Sequence, residues 1–276
     1  MNVLATDKRA QILNCLVKGC SMRATSRLTG AAKKTVERMV VSAGTVCLAF
    51  QDKVMHNLPC KVIQVDEVWS FTRCKQANVP AHLKGAEGIG DTWNWIAMCS
   101  DTKLVPCFHV GSRDATDASL FISNLAPRLA SRVQLTSDGH KAYLQAVEDA
   151  FGSEIDYAQL IKLYGNDTRP VQEARYSPPP CIGARKNRIS GNPDRALVST
   201  SHIERQNLSI RMGNRRFTRL TNAFSKKIEN HKHMLAIYFM HYNFCRIHTT
   251  LRVTPAMEAG LTDHVWTLGE IVGLLT

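Results

Sequence analysis

The sequence predicts an α/β protein in which a mixed five-stranded sheet is flanked by helices and preceded by a small all-helical domain. Residues 7–44 show only helical patterns, whereas residues from 61 onward alternate β-branched strands with helices. The first three strands follow one another directly and can pair as an antiparallel meander. The later strands are separated by helices and need crossover connections, which give parallel pairing. With 276 residues, 44% of them hydrophobic, the chain can bury a large core.

The first 45 residues are predicted to form three short helices. The third carries Lys33, Lys34 and Arg38 outside its apolar face, and a short turn separates it from the second. This is the organisation of a helix-turn-helix, whose last helix enters the major groove of DNA. A plain three-helix bundle is the alternative, but the basic third helix favours DNA. We therefore assign residues 1–45 to a helix-turn-helix DNA-binding domain and residues 46–60 to a helical linker.

Residues 61–250 are predicted to form the sheet domain, and residues 251–276 a C-terminal tail. A Pro- and Gly-containing stretch at 165–198 has few large apolar residues, so we expect an extended insertion rather than a packed element. A long helix is expected at 222–248. The aromatic residues Trp69, Trp93 and Trp95 are expected in the core. Strands are predicted at 61–73, 92–101, 104–113, 131–140 and 155–164, with helices at 114–130 and 141–151.

The basic residues are concentrated in two blocks. The formal net charge is +12 and the isoelectric point is about 9.4. Residues 1–45 contain eight Lys or Arg against two acids, and residues 184–220 contain nine against two. A chain this basic usually binds a polyanion, most often nucleic acid, with a merely soluble basic surface as the alternative. Two separate blocks indicate two contacts with one long polyanion.

The nine cysteines indicate neither a disulfide framework nor a zinc site. Their number is odd, their spacing is irregular, and no C-x-x-C pair occurs. We therefore expect reduced thiols in a cytoplasmic protein and no zinc. Residues 1–10 are mixed and charged, and no run of about 18 apolar residues occurs, so we expect neither a signal peptide nor a membrane partner.

Three acidic residues lie where they could carry chemistry. Asp66 lies inside the first strand, Asp138 ends the fourth, and Glu204 begins a basic helix. If the first and fourth strands are neighbours, Asp66 and Asp138 lie side by side, and a helix across the sheet can add Glu204. Converging carboxylates repel one another unless cations neutralise them, and hard oxygen ligands suit Mg²⁺ or Mn²⁺. Two such ions about 3.5–4 Å apart can activate a nucleophile for attack on a phosphodiester.

Each acid also has a simpler interpretation. Asp66 can be an edge-strand acid, Asp138 a turn residue, and Glu204 the last member of an S-x-x-E capping box. Asp66 and Glu67 are adjacent on a strand and point to opposite faces, so only one of them can join a cluster. The residue pattern alone leaves these alternatives open.

Several long segments resemble bacterial insertion-sequence transposases of the "insertion sequence one" family. They are VDEVWSF, GDTWNWIAMCSDTKLVPCFHVGSRD, VQLTSDGHKAY, STSHIERQNLSIRMGNRRFTRLTNAFSKK and HYNFCRIHTTLRVTPAMEAG. The resemblance covers about residues 60–262, with the helix-turn-helix in front. It implies an RNase H-like recombinase of the DDE type, with Asp66, Asp138 and Glu204 as catalytic acids and as ligands of two Mg²⁺ or Mn²⁺ ions. Glu67 is then the neighbour that lies outside the site.

The resemblance also implies the reaction and the partners. Metal-activated water cuts at the ends of the element, and the released 3′-OH attacks target DNA directly, without a covalent enzyme intermediate. The partners are double-stranded DNA, namely the terminal inverted repeats and the target, and further copies of the chain in a homodimer or larger assembly.

The helix that begins near Glu204 is expected to contact the DNA backbone. If Glu204 is a metal ligand, Thr200 or Ser201 caps this helix alone. A solvated surface is the alternative for the polar residues along it. The candidate DNA contacts of this region are Asn207, Arg211, Arg215 and Arg216.

The chain departs from the family pattern in two respects. Asp138 and Glu204 are 66 residues apart, a longer spacing than is usual in compact relatives, and the stretch 165–198 accounts for the excess. Many relatives carry an N-terminal zinc finger, whereas Cys15 and Cys20 have no matching second pair here.

Two other functions stay open: a DNA-binding regulator with a non-catalytic RNase H-like domain, and a structure-selective nuclease without strand transfer.

Overall fold

The computed structural model describes residues 4–166, 179–219 and 221–275. The chain begins with helices α1 (Thr6–Val17), α2 (Met22–Thr29) and α3 (Lys33–Val54). The Ser21 side chain caps α2 by accepting the Ala24 N–H. Helix α3 continues through the boundary predicted at residue 45, so residues 46–54 are helical as part of α3 rather than as a separate linker. The division of the chain into domains stays a prediction.

A mixed sheet follows these helices. In the described residues it has six strands, in the order β3-β2-β1-β4-β5-β6. Strand β1 pairs antiparallel with β2 and parallel with β4, while β2–β3 and β5–β6 are antiparallel and β4–β5 is parallel. The first five strands have the order and directions of an RNase H-like fold, so the predicted fold class is confirmed. The strands are β1 (Val62–Thr72), β2 (Gly90–Cys99), β3 (Phe108–Gly111), β4 (Val133–Ser137), β5 (Ile155–Tyr164) and β6 (Cys181–Ser190).

The sheet has one strand more than predicted. Strand β6 lies in the stretch 165–198, so the prediction of an unpacked insertion is wrong for residues 181–190, while residues 167–178 lie outside the described part of the chain. Strand β6 pairs along β5, whose backbone groups would otherwise form a free sheet edge. Most β6 side chains are exposed, and few are β-branched, so hydrophobic periodicity does not reveal this strand.

Helices cover both faces of the sheet. The helix predicted at 222–248 is shorter: it begins at Ile228, and a π-helical turn follows it at His241–Cys245. The predicted C-terminal tail is folded, because Ile271 and Val272 are buried in the core. The helices are α4 (Ala115–Leu125), α5 (Ala142–Phe151), α6 (Ser201–Gly213), α7 (Ile228–Met240), α8 (Pro255–Glu258) and α9 (Leu268–Gly273).

Helix α7 joins the N-terminal helices to the sheet. Its residues Leu235 and Phe239 pack in one hydrophobic cluster with Val68 and Ile96 of the sheet. Other α7 side chains belong to a larger cluster with α1, α3, α4 and α5. Helix α3 crosses α7 at Gly44, where a Cβ would overlap His233, so glycine permits this close approach. Among the described residues, no helix combines the length and hydrophobicity needed to cross a bilayer.

Candidate active site

Strands β1 and β4 bring Asp66 and Asp138 together where the two strands part. Their parallel pairing ends at Gln64 and Thr136. Asp66 and Asp138 each lie two residues further along, and residues paired across parallel strands point to the same face. In α/β sheets, the cleft at such a point is a common place for a ligand.

Glu67 belongs to the same cluster, although the family resemblance implied that it lies outside the site. Asp66, Glu67 and Asp138 each offer a carboxylate oxygen, and these atoms all lie within 4.8 Å of one another. Glu67 points to the opposite face of β1 from Asp66, as predicted. Asp138, however, follows the last residue of β4 at the end of the sheet, where side chains from both faces of β1 can reach it.

Burial and neighbouring acids shift the titration of Asp66. Burial, together with the negative charges of Glu67 and Asp138, raises the pKa of Asp66 to about 7. Two donors hold the carboxylate in place: the Glu67 backbone N–H lies 2.9 Å from Oδ1, and Asn207 Nδ2 lies 2.7 Å from Oδ2. Hydrogen bonds therefore orient the Asp66 carboxylate, but its raised pKa shows that the surrounding groups do not fully stabilise its negative charge.

Arg113 compensates part of this charge. It follows β3, and its Nε donates to Glu67 Oε2 at 3.0 Å, while Nη2 lies 3.8 Å from Asp138 Oδ2. Burial raises the pKa of Glu67, the nearby Tyr143 hydroxyl lowers it, Asp138 raises it again, and Arg113 lowers it, with a net increase. Sequence reasoning missed Arg113, whose only local signal is its position just after the third strand.

The three acids fit a divalent cation. Carboxylate oxygens are the hard ligands that Mg²⁺ and Mn²⁺ prefer. Oε1 of Glu67 is buried and accepts no well-formed hydrogen bond from any residue in the described ranges. A cation beside this atom would neutralise both the unpaired oxygen and the charge that raises the pKa of Asp66.

Glu204 does not join this cluster in the structure. Its carboxylate accepts hydrogen bonds from Lys162 Nζ of β5, at 2.6 Å, and from Thr200 Oγ1, at 2.5 Å. Burial alone would lower the pKa of Lys162, but the hydrogen bond and the charge of Glu204 raise it. The cation on β5 therefore pairs with the acid that was expected beside Asp66, and the catalytic role of Glu204 stays a prediction.

The start of α6 is capped by a distant residue. The Glu204 side chain does not form a capping box, and the Thr200 side chain makes no capping hydrogen bond because it donates to Glu204. Instead, Oε1 of Gln64 on β1 accepts the N–H groups of His202 and Ile203 at 2.9 and 3.0 Å. The prediction that Thr200 or Ser201 caps α6 is therefore wrong, and a strand residue satisfies the His202 and Ile203 donors.

Two of the predicted DNA contacts on α6 lie near the acids. Asn207 is buried and donates to Asp66, so its amide orients an acid rather than facing solvent. Arg211 is half-buried, and its pKa is lowered first by burial and then by Arg219, while the charge of Asp66 raises it. Arg211 therefore lies close enough to Asp66 for their charges to interact.

The other two predicted contacts follow α6 in a 3-10 turn, Arg215–Phe217. Arg215 is half-buried. Arg216 donates from Nε to Ser225 Oγ at 2.7 Å, and burial lowers the pKa of Arg216 to about 10. Arg216 is thus engaged inside the protein, which does not favour the predicted phosphate contact.

Basic side chains are exposed in both basic blocks of the chain. Lys33, Lys34 and Arg38 are exposed at the start of α3, where Lys33 forms an ion pair with Glu37 at 3.1 Å. Part of the second basic block lies on β6, where Arg185 and Arg188 are exposed. Neither strand residue was singled out, because β6 itself was not predicted.

Fold and site together define an RNase H-like α/β protein with an acid cluster that fits a divalent cation. A scan against protein-family models finds no match, and a search of the curated proteins finds none. The solved structures that are similar include a pre-cleavage Mos1 transpososome, with 11% identity and a TM-score of 0.23 over 57% of this chain and 60% of that chain. They also include the Mos1 Strand Transfer Complex, with 12% identity and a TM-score of 0.25 over 86% of this chain and 78% of that chain. The chain thus spans about 60% of the length of the first of these structures.

Proposed function

We propose that this chain is a DNA transposase of the DDE type, which binds the ends of a mobile element and catalyses metal-dependent strand cleavage and strand transfer. The observation that carries the proposal is the cluster of Asp66, Glu67 and Asp138 at the open end of an RNase H-like sheet. The resemblance of its long sequence segments supports placing it with the bacterial insertion sequences of the "insertion sequence one" family. A fold alone does not define a function, so the site must carry the assignment.

Each residue of the site has a separate task in this reaction. When bound, divalent cations activate the attacking oxygen and stabilise the leaving oxygen of the phosphodiester. Asp66, Glu67 and Asp138 would hold a divalent cation through their carboxylates. Asn207 orients Asp66 through its 2.7 Å hydrogen bond, and Arg113 fixes Glu67 at 3.0 Å. Since the attacking group is water or a DNA 3′-OH, no serine or tyrosine nucleophile is required.

The DNA is proposed to contact two basic surfaces. Lys33, Lys34 and Arg38 on α3 form the first, and Arg185 and Arg188 on β6 contribute to the second. Phosphate contacts of this kind fix the position of a protein on DNA without reading its sequence. Joining two element ends to one target requires more than one active site, so we propose a homodimer or larger assembly on DNA in the cytoplasm.

The Lys162–Glu204 ion pair favours a second candidate function. In the structure it pairs the predicted third acid with Lys162, and Glu204 is not a member of the cluster of Asp66, Glu67 and Asp138. A protein that keeps this arrangement on DNA would be a DNA-binding regulator with a non-catalytic RNase H-like domain. The two candidates differ in whether the full chain cuts and joins DNA.

The test uses the full chain with Mg²⁺, labelled duplexes from the DNA that flanks its coding sequence, and a supercoiled target plasmid. The transposase should cut the duplexes and join their 3′ ends to the plasmid. Asp138→Asn should lower both rates on the order of a thousandfold because it removes a cation ligand. Asp149→Asn, an exposed acid on α5, is the matched control and should retain wild-type rates.

The outcomes separate the candidate functions. Cutting without joining would identify a nuclease, and DNA binding without either step would identify a regulator. Wild-type cutting and joining by Glu204→Gln would remove Glu204 from the catalytic acids while leaving the three-acid cluster in place.

A further inference from the structure

The face of β1 that carries Glu67 continues into an aromatic surface. Trp69 and Phe71 follow Glu67 at alternate positions, and Trp93 of β2 lies directly opposite Trp69. All three rings are only partly buried, whereas Trp95, which lies opposite Glu67, is fully buried. The expectation that Trp69 and Trp93 are core residues is therefore wrong, because the helices that cover Trp95 do not cover the next positions of the sheet.

A fourth ring extends this surface. Phe71 contacts Phe224, which precedes α7, with ring centroids 5.0 Å apart, and it contacts Trp69 at 5.7 Å. We call Trp69, Phe71, Trp93 and Phe224 the aromatic patch. Side chains of this size give stacking surface, and partly exposed rings grouped in this way mark a binding surface rather than a core.

Positive charges lie over the rings of the patch. Arg113 lies 4.8 Å from the centroid of Trp93, and Lys75 Nζ lies 5.9 Å from that of Trp69. Both cations are exposed. Aromatic faces beside cations suit a ligand that is both flat and anionic, as a nucleotide is. An apolar protein segment would use the rings but would offer no negative charge to Lys75, whereas Arg113 already pairs with Glu67.

The patch is continuous with the acid cluster. Trp69 lies two residues beyond Glu67 on the same face, a separation of roughly 7 Å along an extended strand. Arg113 connects the two, since it contacts Trp93 and also donates to Glu67. A DNA strand with a phosphodiester at the acids therefore has a neighbouring base within reach of the rings.

We propose that the aromatic patch stacks an unpaired nucleobase of the DNA strand that lies at the acid cluster. This inference rests on the proposed function and adds to it a preference for DNA that is unpaired beside the reacting phosphodiester. Bases inside a duplex already stack on one another and cannot reach the rings, whereas unpaired bases can, whatever their sequence.

The test compares two labelled DNA molecules of the same sequence in metal-free buffer, so that binding is read without cleavage. One is fully paired, and the other has a short unpaired stretch containing 2-aminopurine, whose fluorescence falls when it stacks. The full wild-type chain should bind the unpaired form more tightly and quench its fluorescence. Trp69→Ala and Trp93→Ala should weaken binding to the unpaired form by about tenfold and leave duplex affinity unchanged. Trp69→Phe should restore most of the affinity.

Val265→Ala removes an exposed apolar side chain in the C-terminal region and is the matched control, expected to bind both molecules like the wild type. Equal wild-type affinity for both molecules, or an equal loss on both in the tryptophan variants, would overturn the inference and leave an apolar protein segment as the occupant. If an alanine variant does not fold, the 2-aminopurine fluorescence of the wild-type complex still tests whether the unpaired base stacks on the protein. If the wild-type chain cuts and joins DNA but does not quench the 2-aminopurine fluorescence, only the proposed role of the aromatic patch is overturned. Stacking without cutting would overturn the proposed reaction instead.

Discussion

The two faces of strand β1 differ in what they expose. On one face, Ser70, Asn94 of β2 and His231 of α7 form a buried polar network. His231 Nε2 lies 2.8 Å from Asn94 Oδ1, and Asn94 Nδ2 donates to Ser70 Oγ at 2.9 Å. On the other face, Glu67 is followed by the partly exposed rings of Trp69 and Phe71.

The difference shows that strand β1 is held in place on one face and left accessible to a ligand on the other. Helix α7 seals the first face, and because its polar groups bond one another, the network fixes the strand. Burial lowers the pKa of His231 to about 3, so this imidazole is neutral near pH 7. The second face is left open past Glu67, which allows a ligand to approach. Five substitutions, in four predictions, test this division.

The largest expected effect is on the open face. Glu67→Gln removes a proposed cation ligand and should slow Mg²⁺-dependent DNA cutting by several hundredfold or more, on the order expected for a lost metal ligand. Glutamine has nearly the same shape as glutamate, so the melting temperature of the variant should differ little from that of the wild type. Single-turnover cutting measures the rate, with Glu148→Gln on the exposed side of α5 as the control. A wild-type rate would exclude Glu67 from the site.

The second prediction concerns how the free energy of unfolding depends on pH. The folded pKa of Asp66 is about 7, above its ordinary value of 3.8, so the folded state binds an extra proton between these values. Stability contributed by this proton is present at low pH and is lost as the pH rises toward 7. Asp66→Asn removes the charge and should stabilise the metal-free protein at pH 8 by up to about 4 kcal/mol, but much less at pH 4.

Urea unfolding of Asp66→Asn and wild type at both pH values, in the presence of a chelator, measures this difference. Asp149→Asn serves as the control because its carboxylate is exposed. If Asp66→Asn changed stability equally at pH 4 and pH 8, burial would not be raising the pKa of Asp66.

A smaller effect is expected on the sealed face. His231→Leu leaves Asn94 Oδ1 without this partner and should lower the free energy of unfolding by about 2–3 kcal/mol. Denaturant unfolding measures the loss, with Glu229→Gln at the exposed start of α7 as the control. The cutting rate per folded molecule should be retained. If His231→Leu cut DNA much more slowly while keeping the wild-type free energy of unfolding, His231 would take part in the reaction itself.

The smallest effect is expected for the stability of the aromatic patch. Trp69→Ala removes a partly exposed ring and should cost only about 1 kcal/mol. Trp95→Ala empties a fully buried site on the same face and should cost about 3–5 kcal/mol. Thermal unfolding of the pair gives the comparison. Equal losses would show that the patch is part of the core rather than an open surface.

Local patterns predicted the elements that build the site. The β-branched run around Asp66 and the run that leads to Asp138 are strands, and they are neighbours, an arrangement that the order of strands and helices allowed but did not require. Strand β6 was missed because its side chains are mostly exposed and only its pairing with β5 defines it. Helix α7 was predicted too long, since an apolar stripe does not reveal where hydrogen bonding changes to a π-helical turn.

The sequence by itself determined the α/β class, the strand that carries Asp66, the strand that leads to Asp138, and the two basic blocks at residues 1–45 and 184–220. These follow from periodicity, strand order and composition, which depend on residues close in the chain or on simple connection rules. The tertiary structure decided which acids converge: Glu67 joins Asp66 and Asp138, while Lys162 binds Glu204. It also decided that Gln64, 138 residues from His202, caps α6. The partners of a carboxylate or of a helix terminus are set by groups that folding brings from far along the chain, and no local pattern contains them.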